Sequence, residues 1–262
     1  MSDNAKIVRV QGLDFQVRDT GDQQPALVFQ HYWGGTGRTW GLVIRELADR
    51  HRCVAPDLRG WGGSDKKADD YGLHTQADDV AAIIASLGLS QYILVGQSMG
   101  GKIAQILGAR RPGAEKARAG RACSSHADRR TEGATRRHAR KLSDPGRCRV
   151  RSLNPDVKAA FSNAPAAGDR RYAGGAPAAK AAWTQAGMTL DITEIVEDIN
   201  VPTTVIVGNA DKVETEPLLR RELASRISGT EFIVLPGVGH LSPLEAPGEL
   251  AAAITTAISK IR

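Results

Sequence analysis

"ILVGQSMGGKIAQ", residues Ile93 to Gln105, begins as a continuous apolar run and ends with helical spacing, and Ser98 stands between Gly96 and Gly100 where one pattern gives way to the other. A buried parallel strand reads as such an apolar run. A G-x-S-x-G turn from strand into helix strains the serine backbone and lifts its hydroxyl clear of the sheet, and the flanking glycines remove Cβ atoms that would clash there. The helix that follows, from about Met99 to Arg110, points its N-terminal amides and positive dipole end at the same place, where an oxyanion would be stabilised. The stretch therefore predicts a nucleophilic Ser98 at the carboxyl end of a parallel strand, the edge at which open α/β sheets bind ligands.

Strand and helix patterns alternate on either side of it. "IVRVQG" and "DFQVRD" read as a hairpin-like pair, with Leu13, Phe15 and Val17 on one face at period two. "ALVFQ" (Ala26 to Gln30), "RCVAPD", "YILVG", "TTVIVG" and "EFIVLPG" read as strands. Between and after them "WGLVIRELADR", "ADDVAAIIASLGL", "EPLLRRELASRI" and "GELAAAITTAISKI" have helical spacing, and Gly88 closes the second of these as a C-cap glycine would. This alternation predicts one α/β domain over residues 1–262, with a mostly parallel central sheet and helices on both faces.

A nucleophilic serine needs a base, and the base needs an orienting carboxylate. "LPGVGHLSPLEAP" offers His240 in a glycine-rich loop after the last strand, and "VIVGNADKV" offers Asp211 just beyond the preceding one. The bland alternatives are a surface loop histidine and an N-cap aspartate ahead of the "EPLLRREL" helix. The chain order Ser98, Asp211, His240 is the one expected for a triad on this architecture.

Composition bounds the remaining function classes. Apolar residues make up 41% of the 262, and no run is long enough to span a membrane. The first residues, "MSDNAKIVRVQG", lack the pattern of a secretory signal. Cys53, Cys123 and Cys148 fall at no metal-ligand spacing and are odd in number, which suits a reducing cytoplasm better than a disulfide framework. No cofactor or metal motif is read. The formal charge of +6 is local: residues 113–172 hold 15 Lys/Arg against 6 Asp/Glu, so the rest of the chain is acidic. With only Phe161 and Tyr172 as aromatics, that segment matches no nucleic-acid module and reads as solvated surface.

Taken together, four motifs resemble those of the α/β-hydrolase family, close to its small carboxylesterases, cofactor-free haloperoxidases and enol-lactonases. "HYWGG" (31–35) resembles the oxyanion loop, with Tyr32 in place of the usual glycine. "DLRGWGGSD" (57–65) resembles the loop after the fourth strand, and "GQSMGG" the nucleophile elbow, with Gln97 where His is commoner. "GVGHLSPLEAP" carries the histidine. The resemblance spans roughly residues 5–112 and 174–262. It implies an α/β-hydrolase fold with a lid insertion, and an oxyanion hole built from the backbone N–H groups of Trp33 and Met99. Tyr32 and Gln97 are expected to line the substrate crevice, and His31, for which the argument finds no catalytic partner, is expected to be structural. The expected chemistry is hydrolysis of a small-molecule carboxylic ester. Perhydrolysis or lactone opening on the same triad is the alternative, and a receptor that only binds is a rival of another class. A serine at position 98 disfavours the haloalkane and epoxide chemistries, which use a carboxylate nucleophile.

Residues 113–172 depart from the resemblance. They contain no Ile, two Leu, two Val and twelve Arg where a sixth buried strand and a lid would stand, and the end of a lid is legible only over 173–190. No five-residue window there reads as a buried parallel strand. Two readings compete: a basic lid that selects acidic substrates, or the product of a compensated reading-frame shift. The second would lose a sheet position, or keep it through backbone pairing with small residues such as Ala117, Ala119 and Ala122 inward.

Overall fold

A computed structural model describes residues 5–110, the backbone of 121–122, and residues 174–261. Eight strands form one sheet in the order β1-β2-β4-β3-β5-β6-β7-β8. The hairpin β1 (Ala5–Val10) and β2 (Leu13–Thr20) is antiparallel, turning through Gln11 and Gly12, both at positive φ, as a two-residue hairpin turn demands. β2 joins β4 (Cys53–Pro56) antiparallel, and from β4 onward every pairing is parallel.

β3 (Ala26–Gln30), β5 (Tyr92–Gly96) and β7 (Thr204–Gly208) are buried at every position, because helices cover both faces. Period two then splits their side chains between two cores. Val28, Leu94, Val205 and Val207 pack with α2 (Leu73–Ser86) and α3 (Met99–Arg110). Leu27, Phe29, Ile93, Val95 and Ile206 pack with α1 (Gly41–Leu47) and the C-terminal helix Pro247–Ser259. α2 begins at Leu73, four residues before the first residue of "ADDVAAIIASLGL". Its end agrees: Gly88 is at φ +64 and Leu89 N–H reaches back to Ile84 O at 3.1 Å.

β6 is short, Arg121–Ala122, yet it pairs with Leu94 and Val95 of β5 on one side and with Thr204 of β7 on the other. The sheet is therefore continuous through the position where no apolar run exists. Backbone pairing, which needs no particular side chain, supplies that continuity. The other expectations for residues 113–172 lie outside the described residues. Beyond them, α4 (Pro177–Ala182, continuing as a wider turn over Trp183–Gly187) and α5 (Thr193–Glu197) lead to β7. Next come α6 (Glu216–Leu219), β8 (Glu231–Leu235), α7 (Ser242–Glu245) and α8, the Pro247–Ser259 helix.

Candidate active site

Ser98 sits between the end of β5 and the start of α3 at φ 52, the left-handed region that a non-glycine residue rarely adopts. Such a conformation costs on the order of 1–3 kcal/mol and persists only where its surroundings enforce it. The surroundings here are backbone. A Cβ on Gly96 would overlap the carbonyl of Gly100, and one on Gly100 would overlap the carbonyl of Gln30, so strand, turn and helix approach more closely than any side chain permits. Gln97 N–H also donates to Gln30 O at 3.2 Å, fastening the elbow to the end of β3 and hence to the Tyr32–Trp33 stretch that follows it.

Asp211 lies in the loop after β7 and His240 in the loop after β8. The two loops are stitched together: Ala210 N–H donates to Val238 O at 3.0 Å, and Gly237 N–H donates to the Asn209 side-chain oxygen at 2.7 Å. Gly208 has no room for a Cβ against the Val238 carbonyl. The outcome is a hydrogen bond of 2.9 Å between His240 Nδ1 and Asp211 Oδ2, with both residues buried. That partner selects the tautomer with the proton on Nδ1, so Nε2 is the basic nitrogen. The other oxygen of Asp211 accepts from Val213 N–H at 2.7 Å and Glu214 N–H at 2.9 Å, which fixes the carboxylate from behind. Asp211 is not the N-cap of α6, a position held by Thr215; its bonds to the Val213 and Glu214 amides shape the turn ahead of that helix and orient the carboxylate.

Two further braces hold the histidine loop. Glu245 of α7 accepts from Gly239 N–H at 2.7 Å and from Leu241 N–H at 2.8 Å, one amide on each side of His240. Gln97 donates its side-chain amide to the His240 carbonyl. Burial works against a charged His240 ring, but the Asp211 hydrogen bond and the charges of Glu214, Asp211 and Glu245 outweigh it, and its pKa is raised above the usual 6.5. Behind the pair a small cavity of about 20 Å³, lined among others by Gln97, Asp211 and His240, is large enough for one water.

The remaining predicted residues fall around this centre. Met99 opens α3 and is buried, and Trp33 is half-buried with its ring edge-on to Trp61 at 6.1 Å. Tyr32 is buried at 1% exposure and packs by Gly35, and the Gln97 side chain, which donates its amide to the His240 carbonyl, is buried beside the small cavity that it helps to line. His31 is fully buried, with Nδ1 on the Tyr32 carbonyl at 2.8 Å and Nε2 accepting from Leu58 N–H at 3.0 Å. Burial lowers its pKa to about 4, so it is a neutral ring that joins the loops after β3 and β4. The "DLRGWGGSD" loop is likewise scaffolding. Arg59 grips Asp79 of α2 through two bonds of 2.5 and 2.6 Å, and Asp57 accepts from Gly37 and Gly63 amides, each at 2.8 Å.

Sequence reasoning missed two charged residues. Lys102, on α3 one turn past Ser98, is 1% exposed and donates to the carbonyls of Gly187, Met188 and Leu190 at 3.2, 3.1 and 2.9 Å. Glu214 is 2% exposed, and one of its oxygens, a ring nitrogen of His240 and an oxygen of Asp211 all lie within 4.8 Å of one another. Hydrogen bonds join Asp211 to His240 and to the Glu214 amide. The signals were a lysine inside the otherwise small and apolar "MGGKIAQIL" and a glutamate three residues after Asp211.

Residues 27–253 match the sequence profile of the Alpha/beta hydrolase family. The chain belongs to the α/β hydrolase family. Among its curated relatives is BpoC of Mycobacterium tuberculosis, named for a non-heme bromoperoxidase, 31% identical over 92% of this chain and 95% of that protein. The AB hydrolase superfamily protein YisY of Bacillus subtilis is 41% identical over 38% of this chain, and Epoxide hydrolase 1 of Caenorhabditis elegans 33% identical over 34%. Those two matches span only 37% and 22% of the relatives' own lengths. Among solved structures, an esterase of Thermogutta terrifontis superposes with a TM-score of 0.74 at 23% identity, covering 98% of this chain and 99% of that one. The enol-lactonase of Burkholderia xenovorans gives 0.74 at 21%, covering 97% and 100%. At such identities these superpositions show the fold. Among the described residues, no helix is long and apolar enough to cross a membrane.

Proposed function

We propose that this α/β hydrolase cleaves carboxylic esters through an acyl-enzyme on Ser98. The observation that carries the reading is the pairing of a strained Ser98 at the end of β5 with a buried, hydrogen-bonded His240–Asp211 couple presented from the same edge of the sheet. Ser98 Oγ attacks the ester carbonyl while His240 Nε2 takes its proton, and Asp211 holds the imidazolium. The backbone N–H groups of Trp33 and Met99 receive the oxyanion, a contribution worth about 3–4 kcal/mol per donor in the transition state. The tetrahedral intermediate expels the alcohol, which leaves with the proton from His240. Water then adds to the acyl-enzyme by the same route and releases the acid and free Ser98.

The relatives named for epoxide hydrolysis do not redirect this reading, because position 98 holds a hydroxyl and the chemistry of those enzymes needs a carboxylate. The resemblance to BpoC supports a second reading, in which peroxide captures the same acyl-enzyme and the peracid formed oxidises bromide. One assay parts them. Hydrolysis of p-nitrophenyl acetate or butyrate faster than acid-plus-peroxide bromination of a reporter dye supports the esterase. The reverse ranking replaces it with the perhydrolase.

A further inference from the structure

A second carboxylate enters the site from the loop after β7. Glutamate is almost never fully buried unless it is compensated, and Glu214 is 2% exposed. Its backbone amide is committed to Asp211, and its side chain reaches within 4.8 Å of both Asp211 and His240. Compensation comes from two sides: His240, and the ammonium of Lys102, which α3 carries one turn beyond the nucleophile. Burial depresses Lys102 to about 8, against the opposing charges of Glu214 and Asp191.

We infer that Glu214 is a positioning residue for the proposed reaction, a second acid that acts through His240 alongside Asp211. When Ser98 attacks, the imidazole gains one proton and one positive charge. A carboxylate within about 4–6 Å favours that charged form by about 1–3 pH units, and the charge of Lys102, which also acts on Glu214, offsets part of it. Among the described residues, the other charged groups facing the ring are Asp211, from the same loop, and Glu245, from α7, whose two oxygens are engaged by the Gly239 and Leu241 amides. Glu214 thus strengthens the base in the wild-type protein. It is also an acid within 4.8 Å of the ring when Asp211 is neutralised.

The inference uses the serine-hydrolase reading for its chemistry, but its first test does not depend on activity. The His240 ring C–H resonance, assigned by its loss in His240→Gln, is followed by NMR as pH is varied. The midpoint is expected above 6.5 and should fall by about one unit in Glu214→Gln. Should that variant fail to fold, Glu214→Met offers a neutral side chain of similar volume and the same expected shift. A midpoint unmoved in the folded variant overturns the inference. In ester hydrolysis, Asp211→Asn/Glu214→Gln should be at least about tenfold slower in kcat/KM than Asp211→Asn alone. Equal rates would remove Glu214 from the reaction. A shifted midpoint in a protein that turns over no ester upholds the pairing and discards only the reaction.

Discussion

The side-chain amide of Gln97 donates to the backbone carbonyl of His240, 143 residues further along the chain. One residue of the strand-to-helix elbow thereby holds the loop that carries His240. Gln97→Ala removes the side-chain donor of this link and leaves a buried carbonyl without it. The expected cost is about 1–2 kcal/mol of stability in urea unfolding, with kcat reduced several-fold more than KM rises. An unchanged kcat would show that the loop needs no such brace.

Residues that act as a unit lose activity as a unit. Ser98→Ala and His240→Ala should each remove nearly all turnover, by about 10⁴-fold or more, and Asp211→Asn somewhat less. The ranking is read from kcat/KM on p-nitrophenyl butyrate. Full activity in Asp211→Asn would contradict the role given to the 2.9 Å bond.

The strain at Ser98 makes a stability prediction of its own. Glycine has no Cβ penalty at φ 52, whereas alanine does. Ser98→Gly is therefore expected to be more stable than Ser98→Ala by about 1 kcal/mol after the larger unfolded-state entropy of glycine is deducted. Both should be inactive. Equal urea midpoints would mean that the elbow stores no strain.

Because the His240 pKa is raised, activity should climb with pH along a limb whose midpoint lies above 6.5, since the ring must be neutral to accept the serine proton. The stability linkage has the opposite sign. A folded-state pKa above the unfolded value contributes stability that is complete below 6.5 and is lost as pH rises through the folded pKa. A kcat/KM profile and urea titrations across that window read both. A limb centred below 6.5 would show that burial outweighs the carboxylates.

Lys102 predicts a mechanical link. Its three bonds to Gly187, Met188 and Leu190 fasten the end of α4 and the residues after it to α3. Lys102→Met keeps the bulk and drops the donor, so a loss of about 2 kcal/mol or more is expected. A wild-type melting temperature would leave the link without energetic content.

The parts of this architecture that could be read from sequence share one property: each is enforced locally. The run "YILVG" must be a buried strand because every residue is apolar or small, and Ser98 between two glycines has few other uses. His240 and Asp211 are legible as candidates because each stands in the short loop after a strand, five residues past Leu235 and three past Gly208. What could not be read depends on contacts across the chain. Gln97 pairs with a backbone atom, which leaves no residue-type signal at the other end. Glu214 and Lys102 look like surface charges until the packing of α3 against the 187–190 segment encloses the ammonium. Arg121–Ala122 takes its place in the sheet by backbone pairing, and no apolar pattern announces it.

The central claim is that Ser98 is a nucleophile, and labelling tests it without knowledge of the natural substrate. The folded protein is treated with a fluorophosphonate and digested, and the peptide spanning "ILVGQSMGGK" is examined by mass spectrometry. The account predicts a single phosphonyl adduct on Ser98, abolished in His240→Ala. An unmodified Ser98 in folded protein would contradict it and would favour a family member that binds a small molecule without turning it over.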